Sequence, residues 1–357
     1  MTSTPGADRA NQLRHMEPLV ENRPEAMIAL ARQYAAIGDQ PKAIGLARRA
    51  RALLAGDGEA MTLSSELLCE GVPTWHFWML RDEVRNQAYD AALRRAVTPD
   101  SLVLEIGTGS GILAMMAARA GARVVTCEMN LSVAAAAREV IAANGLSDRI
   151  TVIDKPSFEL DLATDLGRRA DILVSEIVSN DLLNEGVLPA HADAVRRLLL
   201  PAAKVIPARG RIRFALAEHR HWSTAGVAMA GGFDVSTFHA LAPPFWRVRP
   251  DQVTFRSEAD DLFSFDFASP GPWPDGRARK TVASSGGRAN GILQWIAIDL
   301  DEAGSYENRP GTLAQSCWSP LFWRFSEALE TRAGEEINVG AYHTENRLRL
   351  WRDPSLP

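Results

Sequence analysis

The pentapeptide Gly-Thr-Gly-Ser-Gly at residues 107–111 constrains the fold of this chain more than any other stretch. It follows an apolar segment typical of a buried strand, 102–106, and precedes a run of small and apolar residues typical of a helix, 112–120. Glycines suit such a turn because they adopt positive φ and let a ligand approach the backbone without meeting a Cβ. A second apolar segment leads to Glu128, about 20 residues further on, where nucleotide-binding sheets place an acid for ribose hydroxyls. The stretch therefore predicts a nucleoside-like ligand at the edge of a sheet.

The segments around this turn alternate between short apolar strands and helical stretches. The predicted strands are residues 102–106, 124–127, 150–153 and 172–175. Strands that alternate with helices predict a parallel, doubly wound sheet and an α/β fold. Because ligands of such sheets lie outside the carboxyl ends of the strands, the residues after each strand are the first candidates for a site.

The chain beyond residue 200 has a different pattern. Strand-like alternation, as in residues 262–267 and 291–300, is punctuated by Pro and Gly. This region contains all the tryptophans except Trp75 and Trp78, which gives it apolar bulk for a core of its own. It predicts an antiparallel sheet or barrel.

The N-terminal region predicts helices. Residues 1–22 are polar and predict a loose segment, whereas residues 25–37 and 40–54 predict a helical hairpin broken at Gly38. Small and aromatic residues of this hairpin fall where a tetratricopeptide repeat places them, and the segment resembles one such repeat: Ala31, Tyr34, Gly38, Ala43 and Ala50. Because a lone repeat cannot form a solenoid groove, packing on the next domain or on a partner subunit is an alternative to peptide binding.

Domain boundaries follow from these changes of pattern. Residues 56–73 predict a linker, and residues 75–96 predict one continuous helix that leads into the sheet. The expected domains are a helical hairpin at 1–57, a doubly wound domain at 73–205 and an antiparallel β-barrel-like domain at 206–357.

Composition excludes several classes of partner. The 357 residues carry a net charge of −5, with a pI near 5.9. This balance argues against nucleic-acid binding through a basic surface and suits a cationic substrate. No segment approaches the roughly 20 apolar residues of a membrane span. Three widely spaced cysteines indicate neither a metal site nor a disulfide framework, so we expect no metal and a cytoplasmic location.

The glycine spacing resembles the S-adenosyl-L-methionine site of class I methyltransferases rather than the Gly-x-Gly-x-x-Gly site of nicotinamide dehydrogenases, which is the competing interpretation. The other alternative is that the glycines form a structural turn that binds no ligand. The resemblance implies a Rossmann-like methyltransferase domain at 73–205 with S-adenosyl-L-methionine as cofactor. The residues that it places around the cofactor in this stretch are Glu105, Gly107, Thr108, Gly109 and Gly111.

Two glutamates, Glu176 and Glu185, follow the fourth predicted strand. Their spacing resembles the double-glutamate loop of the protein arginine methyltransferases, and residues 76–85 are similar to that family's cofactor-covering helix. Residues 291–351 resemble the monomethylating (type III) branch. The resemblance covers roughly residues 73–352 and does not include the helical hairpin.

The chemistry explains why two carboxylates are needed. A guanidinium is planar, always cationic near pH 7, and offers a rigid fork of donors that suits carboxylates. Glu176 and Glu185 could hold the charge on the nitrogens that they contact, which leaves the third nitrogen better able to attack a sulfonium methyl. Without the family resemblance, two solvated loop acids would be an equal interpretation.

The resemblance also implies roles for residues outside the loop. Arg85 is expected to pair with the methionine carboxylate of the cofactor, and Met79 to pack near its sulfonium. Glu128 is expected to bind the ribose. The residues expected at the adenine are Phe158 and Glu159, and those expected to face the substrate are His76 and Trp318.

The chain departs from the family at three places. The Thr-His-Trp motif of the family's barrel is replaced by Ser-Cys-Trp at 316–318. The role of the family's histidine therefore cannot be assigned to Cys317, and His343 is proposed as a substitute. Residues 179–181 replace aromatic residues of dimethylating relatives. The segment where a dimerisation arm would fall, 221–232, is short and rich in Gly and Ala, and a homodimer is an expectation that only the family resemblance supplies.

These observations predict transfer of a methyl group from S-adenosyl-L-methionine to an arginine guanidinium, giving N-methylarginine. The acceptor could be a protein, a peptide or free L-arginine, and the sequence leaves that choice open, together with the number and symmetry of the methyl groups. Two other classes compete: a small-molecule O- or N-methyltransferase with a non-guanidine acceptor, and a scaffold that uses the helical hairpin without catalysis.

Overall fold

The structure is a computed structural model that describes residues 5–56, 58–220, 229–312 and 316–354. It begins with four helices, α1 (Pro5–Met16), α2 (Pro24–Ala36), α3 (Gln40–Leu53) and α4 (Glu59–Cys69). Their apolar faces enclose one small core in which Met27, Tyr34 and Leu46 are buried. Arg48 on α3 donates to Glu139 of the following domain at 2.9 Å, so this unit packs on its neighbour.

Two expectations for this region are wrong. Of residues 1–22, expected to be loose, residues 5–19 form α1 and a short 3-10 helix, because Leu13 and Val20 pack into the helical core. The expected linker at 56–73 contains α4, whose Leu63 and Leu67 cover the same core. The helical unit therefore extends to Cys69, beyond the hairpin that the sequence predicts.

The single helix expected at 75–96 is two helices, α5 (Trp75–Leu80) and α6 (Glu83–Ala96). The break lies at Asp82, whose side chain accepts a hydrogen bond from Arg85 N at 3.1 Å and so caps α6. A carboxylate that satisfies the free N–H groups of a new first turn favours a fresh start over continuation. The sequence carries this signal, since an Asp precedes the apolar face of α6.

The next domain is a parallel sheet between helices, as expected. Its strands are β1 (Leu102–Ile106), β2 (Arg123–Cys127), β3 (Ile150–Ile153), β4 (Ala170–Ser175) and β5 (Leu199–Ile206), in the order β3-β2-β1-β4-β5. All the neighbouring pairs are parallel. The connecting helices are α7 (Ile112–Arg119), α8 (Leu131–Ala143) and α9 (Val187–Arg197). The strand order reverses at β1, between β2 and β4, which places a ligand crevice there.

The C-terminal region forms an antiparallel sheet of eight strands, which confirms the predicted fold class. Its long strands are β6 (Arg209–His219), β11 (Asp260–Asp266), β12 (Gly276–Asp299), β14 (Leu321–Thr344) and β15 (Arg347–Arg352), and its short strands are β9 (Phe245–Arg247), β10 (Val253–Phe255) and β13 (Ser305–Glu307). One continuous core runs from the helices before the parallel sheet into this one. The two domains therefore pack against each other.

A small separate hairpin, β7 (Met229–Ala230) and β8 (Phe233–Asp234), lies within the C-terminal region. The expected arm at 221–232 falls largely outside the described residues, since only 229–232 of it are described. In the described parts of the chain, no helix has the length and apolar character needed to cross a bilayer.

Candidate active site

The glycine turn is held against the end of β2. The backbone N–H groups of Gly107 and Thr108 both donate to the carbonyl of Cys127, at 3.0 and 3.1 Å. Gly107 has φ +84°, and a Cβ there would lie 2.8 Å from Cγ2 of Ile177. The backbone conformation and the close neighbour both require glycine at this position. Residues 107–111 thus form a fixed turn, called the glycine cradle below.

Glu128 lies beside this cradle, as the sequence predicts for a ribose ligand. One carboxylate oxygen accepts from Gly109 N at 3.1 Å, and the other accepts from Asn130 N at 2.9 Å. The side chain is half-buried, so it keeps contact with solvent. Two backbone donors fix the carboxylate at the carboxyl end of β2.

The carboxyl ends of four parallel strands define a line of candidate residues along one edge of the sheet. In the order of the strands, these are Phe158 and Glu159 after β3, Glu128 after β2, the glycine turn after β1 and Glu176 after β4. Phe158 is 68% exposed, and Glu159 is also exposed. An elongated ligand along this edge would have its two ends near Glu159 and Glu176.

A cleft at the side of this line formed by β1 and β4 brings many of the predicted residues together. Its lining consists of His76, Met79, Leu80, Arg85, Glu105, Gly107, Thr108, Gly109, Ser110, Ile112, Leu113 and Glu176. Four lining residues were not predicted: Leu80, Ser110 and Ile112, which each adjoin a predicted residue, and Leu113, which lies two positions from Gly111. The predicted residues that do not line this cleft are Gly111, Glu128, Phe158, Glu159, Glu185 and Trp318.

Arg85 and Glu176, expected to contact different molecules, contact each other. Arg85 Nη1 donates to Glu176 Oε2 at 2.6 Å, and both side chains are nearly inaccessible to solvent, at 1% and 4%. Arg85 also donates from Nε and Nη2 to Asn86, and its guanidinium lies 5.9 Å from the ring centroid of Tyr89. The first glutamate of the loop therefore already receives a guanidinium in the protein.

Opposing effects set the pKa values of this pair. Burial is the largest single influence and would lower the pKa of Arg85, but Glu176 and the other acidic groups around it, Cys317, Tyr89 and Asp82, together outweigh burial, and the net shift is upward. Burial raises the pKa of Glu176, Arg85 opposes this shift, and the negative charges of Glu185 and Asp82 add to it. The Arg85 shift favours the ion pair, whereas the Glu176 shift disfavours it. Because a guanidinium does not lose its proton in proteins, protonation of Glu176 decides the state of the pair.

The loop between the two glutamates is anchored to the β domain. Trp318 Nε1 donates to the carbonyl of Val178 at 2.7 Å. Asn180 accepts twice, from Gln294 Nε2 at its carbonyl, 3.1 Å, and from Ser319 N at its side-chain oxygen, 2.7 Å. Trp318, Gln294 and Ser319 of the β domain thus hold the loop at Val178 and Asn180.

The second half of the loop is folded on itself. Oδ1 of Asp181 accepts from the backbone N–H groups of Leu183 and Asn184, at 3.2 and 3.0 Å. Glu185 follows and keeps an exposed surface, and its carboxylate has no hydrogen bond or ion pair in the described part of the chain. The surrounding protein nevertheless desolvates it, and together with Asp181 raises its pKa to about 7. A carboxylate that is available and shifted in this way suits a cationic ligand.

Glu105 is the most deeply buried acid of the cleft. It is 1% exposed, and its Oε2 has no hydrogen-bond partner. Burial raises its pKa to about 8, against the hydrogen bond from Thr126. Near neutral pH this carboxyl is therefore protonated and can donate a hydrogen bond into the cleft.

The residues fit S-adenosyl-L-methionine. The cradle excludes a Cβ at Gly107, Glu128 is fixed beside it for hydroxyl groups, and Met79 and His76 of α5 cover the cleft. Within the described ranges, no cluster of His, Cys, Asp or Glu could hold a metal ion.

His343, the conjectural substitute for the family histidine, lies elsewhere. Its ring packs against Phe263 and Phe265, with centroids 4.5 and 5.0 Å apart, and it does not line the cleft. Cys317 instead approaches the site through its backbone, whose N–H donates to Asp82 at 2.9 Å.

Comparisons with known proteins agree with this geometry. Residues 89–196 match the family model of ribosomal protein L11 methyltransferase (PrmA). The arginine N(omega)-methyltransferase of Streptomyces achromogenes subsp. streptozoticus is 39% identical over 314 residues, covering 85% of this chain and 87% of that protein. Protein arginine N-methyltransferase 7 of Oryza sativa subsp. indica is 34% identical over 271 residues, 67% of this chain but only 37% of the rice protein.

Two solved structures share the fold. The Trypanosoma brucei PRMT1 enzyme-prozyme heterotetrameric complex with AdoHcy has a TM-score of 0.68 and 24% identity, over 76% of this chain and 88% of that one. Arabidopsis thaliana protein arginine methyltransferase 10 has a TM-score of 0.63 and 20% identity, over 77% and 89%. With a relative matched over most of both lengths, the chain is an S-adenosyl-L-methionine-dependent methyltransferase and belongs to the arginine N-methyltransferase family.

Proposed function

We propose that this enzyme adds one methyl group to an ω-nitrogen of free L-arginine. The relative that it matches over 87% of its length is named an arginine N(omega)-methyltransferase, whereas the rice protein arginine methyltransferase is matched over 37% of its length. A single methyl group accords with the resemblance of residues 291–351 to the monomethylating branch. Chain-bound arginine is the second candidate acceptor, favoured by the additional helical unit α1–α4.

The observation that carries the proposal is the meeting of the glycine cradle and Glu176 in one cleft, with Glu185 on the loop that follows. S-adenosyl-L-methionine, when bound, supplies an electrophilic methyl group. Gly107, Gly109 and Glu128 would bind its nucleoside part, Met79 would pack near its sulfonium, and Arg85 would orient its carboxylate. The two carboxylates of the loop, Glu176 and Glu185, favour a cation as acceptor.

Glu176 and Glu185 would bind the acceptor guanidinium from two sides. Arg85 shows that Glu176 accepts a hydrogen bond from a guanidinium at 2.6 Å in this setting. Two ionised carboxylates hold positive charge on the nitrogens that they contact, so the third nitrogen keeps the electron density needed for attack. The proton that this nitrogen then loses can pass to a carboxylate or to solvent.

Mass spectrometry of reactions with S-adenosyl-L-methionine tests the proposal. Wild-type enzyme is incubated with free L-arginine or with an Arg/Gly-rich peptide, beside Glu176→Gln, Glu185→Gln and the control Glu327→Gln, an exposed glutamate of β14. We expect a gain of one methyl group on L-arginine, lost in the first two variants and kept in the control. A gain on the peptide alone would instead make chain-bound arginine the acceptor.

A small-molecule methyltransferase with a non-guanidine acceptor would give a different result. Calorimetry would show cofactor binding, neither arginine acceptor would gain mass, and Glu185→Gln would leave turnover of the true acceptor unchanged. Failure to bind S-adenosyl-L-homocysteine would instead favour a scaffold function.

We propose a cytoplasmic homodimer, with the tetratricopeptide-like unit as a packing element. Several apolar side chains at the described end of the expected arm and in the segment that follows it are exposed: Met229, Phe233, Phe238 and Leu241. Burial of such a group against a second copy would remove it from water. Free Cys69 at the surface suits a reducing compartment. Sedimentation of the wild type and of Phe233→Ser/Phe238→Ser tests the dimer, which the double variant should weaken.

A further inference from the structure

Asp82 is a buried carboxylate at the junction of α5 and α6 to which the sequence analysis gives no role. It is 1% exposed. Its Oδ1 accepts from Arg85 N, as described above, and its Oδ2 faces the β domain. There it accepts from Tyr306 Oη at 2.6 Å and from Cys317 N at 2.9 Å. One carboxylate thus joins the helix that carries Arg85 to the β domain.

Tyr306, on β13, is itself held on several sides. It is 2% exposed, and its hydroxyl lies 2.8 Å from Ser316 Oγ. The Tyr306 hydroxyl has one hydrogen, which it donates in the hydrogen bond to Asp82. The Ser316 hydroxyl can therefore be the donor in its own hydrogen bond with Tyr306. The Tyr306 ring packs edge-on against Trp318, with centroids 5.4 Å apart. Trp318 in turn donates to Val178 in the glutamate loop.

These contacts form a closed circuit around the cleft. Its members in order are Tyr306, Asp82, Arg85, Glu176, Val178 and Trp318. Every link is buried or nearly so, and buried polar networks hold their members more firmly than solvated contacts do. The circuit reaches Glu176 from both directions, through Arg85 and through the loop. A displacement of the β domain would therefore change the position of the Glu176 carboxylate, which binds the acceptor.

We propose that Tyr306 is a positioning residue for methyl transfer, whose hydroxyl keeps Asp82, Arg85 and Glu176 in register with the β domain. The inference rests on the proposed function, since the acceptor is assayed as arginine. Among the donors to Asp82, the Tyr306 hydroxyl can be removed without changing the backbone. The N–H group of Cys317 persists in any substitution by a residue other than proline.

Tyr306→Phe tests the proposal, because it deletes one oxygen and keeps the ring against Trp318. The matched control is Tyr342→Phe, which removes a hydroxyl bonded to Asp275 at the surface. We expect kcat with L-arginine to fall about tenfold or more in Tyr306→Phe, since small displacements of reacting groups have effects of that order. The KM for S-adenosyl-L-methionine should change less, because the glycine cradle and Glu128, which would bind its nucleoside part, lie outside the circuit although Arg85 belongs to it. The control should match the wild type.

Asp82→Asn gives a second readout that a loss of folding stability would not produce. The charged and titratable groups around Glu176 are Arg85, Glu185, Asp82, Tyr89 and Cys317. Removing the negative charge of Asp82 removes an influence that raises the pKa of Glu176. The acid limb of the kcat profile should therefore move to lower pH, while kcat itself falls. The double variant with Tyr306→Phe should be no slower than Asp82→Asn, because both changes break the same link.

The outcomes separate the two claims. An active wild type with Tyr306→Phe within about twofold of its kcat would overturn the positioning role. Additive losses in the double variant would do the same, and where Tyr306→Phe is too unstable to assay alone, the acid limb of Asp82→Asn decides. An unmoved acid limb in Asp82→Asn would also contradict it. A wild type that methylates neither L-arginine nor the peptide would overturn the proposed function first, and this inference with it.

Discussion

Arg85 Nη1 lies 2.6 Å from Glu176 Oε2, in a site where neither side chain has appreciable contact with water. The carboxylate that we assign to the acceptor guanidinium is thus already held by a guanidinium of the chain. A buried pair of this kind depends on both members, because removing one leaves the other charged and unpaired. The first prediction follows from this dependence.

Arg85→Leu should lower the free energy of unfolding by about 3–5 kcal/mol near pH 9, where Glu176 is ionised. The loss should be smaller at pH 6, because Glu176 then takes up a proton. Adding Glu176→Gln should recover part of the loss at pH 9. Urea unfolding at the two pH values measures all three, with Arg94→Leu as control, since its ion pair with Asp90 is exposed and should contribute less than about 1 kcal/mol. A pH-independent loss in Arg85→Leu would contradict the pairing as the cause.

The rate of methylation should rise with pH. Glu185 has a pKa raised to about 7 and Glu176 has one above its ordinary range, and both acids bind a guanidinium only when they are ionised. An acid is ionised above its pKa, so kcat/KM for L-arginine should increase between pH 6 and pH 9. Initial rates with saturating cofactor measure this, and Glu185→Gln should be nearly inactive throughout. A profile that is flat over this range would refute the assigned ionisation states.

Glu105→Gln should stabilise the protein at alkaline pH. The folded pKa of Glu105 is about 8 against an ordinary 4.5, so between these values only the unfolded state loses the proton. Stability from this group is therefore present below pH 4.5 and is lost as the pH rises through 8. Glu105→Gln cannot ionise at this position, so its free energy of unfolding does not fall in this way; the difference from the wild type amounts to at most about 5 kcal/mol at pH 9.

Thermal or urea unfolding from pH 5 to pH 9 measures the effect, with exposed Glu302→Gln as control. The curves of wild type and Glu105→Gln should diverge as the pH rises. Parallel curves would mean that Glu105 is not titrating as the structure indicates.

Gly107→Ala should lose cofactor affinity beyond the effect of backbone strain. Its φ of +84° alone would cost an alanine about 1 kcal/mol, and the new Cβ would also lie 2.8 Å from Ile177. Gly145→Ala is a matched control, with φ +68° and open space around the Cβ. Calorimetric titration with S-adenosyl-L-homocysteine should show a Kd raised about tenfold or more in Gly107→Ala and unchanged in the control. Equal affinities in both variants would show that the cradle tolerates a side chain.

Local patterns in the sequence were enough to predict four of the five strands of the parallel sheet, its glycine turn and the antiparallel region, but not β5. Strands β1 and β3 begin and end where apolar periodicity places them, and β2 and β4 differ only by one or two residues at their starts. The reason is that strand alternation and the φ demands of glycine act over a few residues. The errors at α1, α4 and the α5–α6 break arose where a helix is stabilised by distant partners or begins at a cap.

Only the tertiary structure decided which side chains meet. The pairing of Arg85 with Glu176 joins residues 91 positions apart, and that of Asp82 with Tyr306 joins residues 224 apart. No periodicity encodes such contacts, because they depend on how two domains pack around one core. The raised pKa values of Glu105 and Glu185 arise in the same way, since desolvation comes from atoms that only the fold brings near. The sequence by itself determined the residue types that methyl transfer needs, and the packing of the β domain on the parallel sheet determined their arrangement.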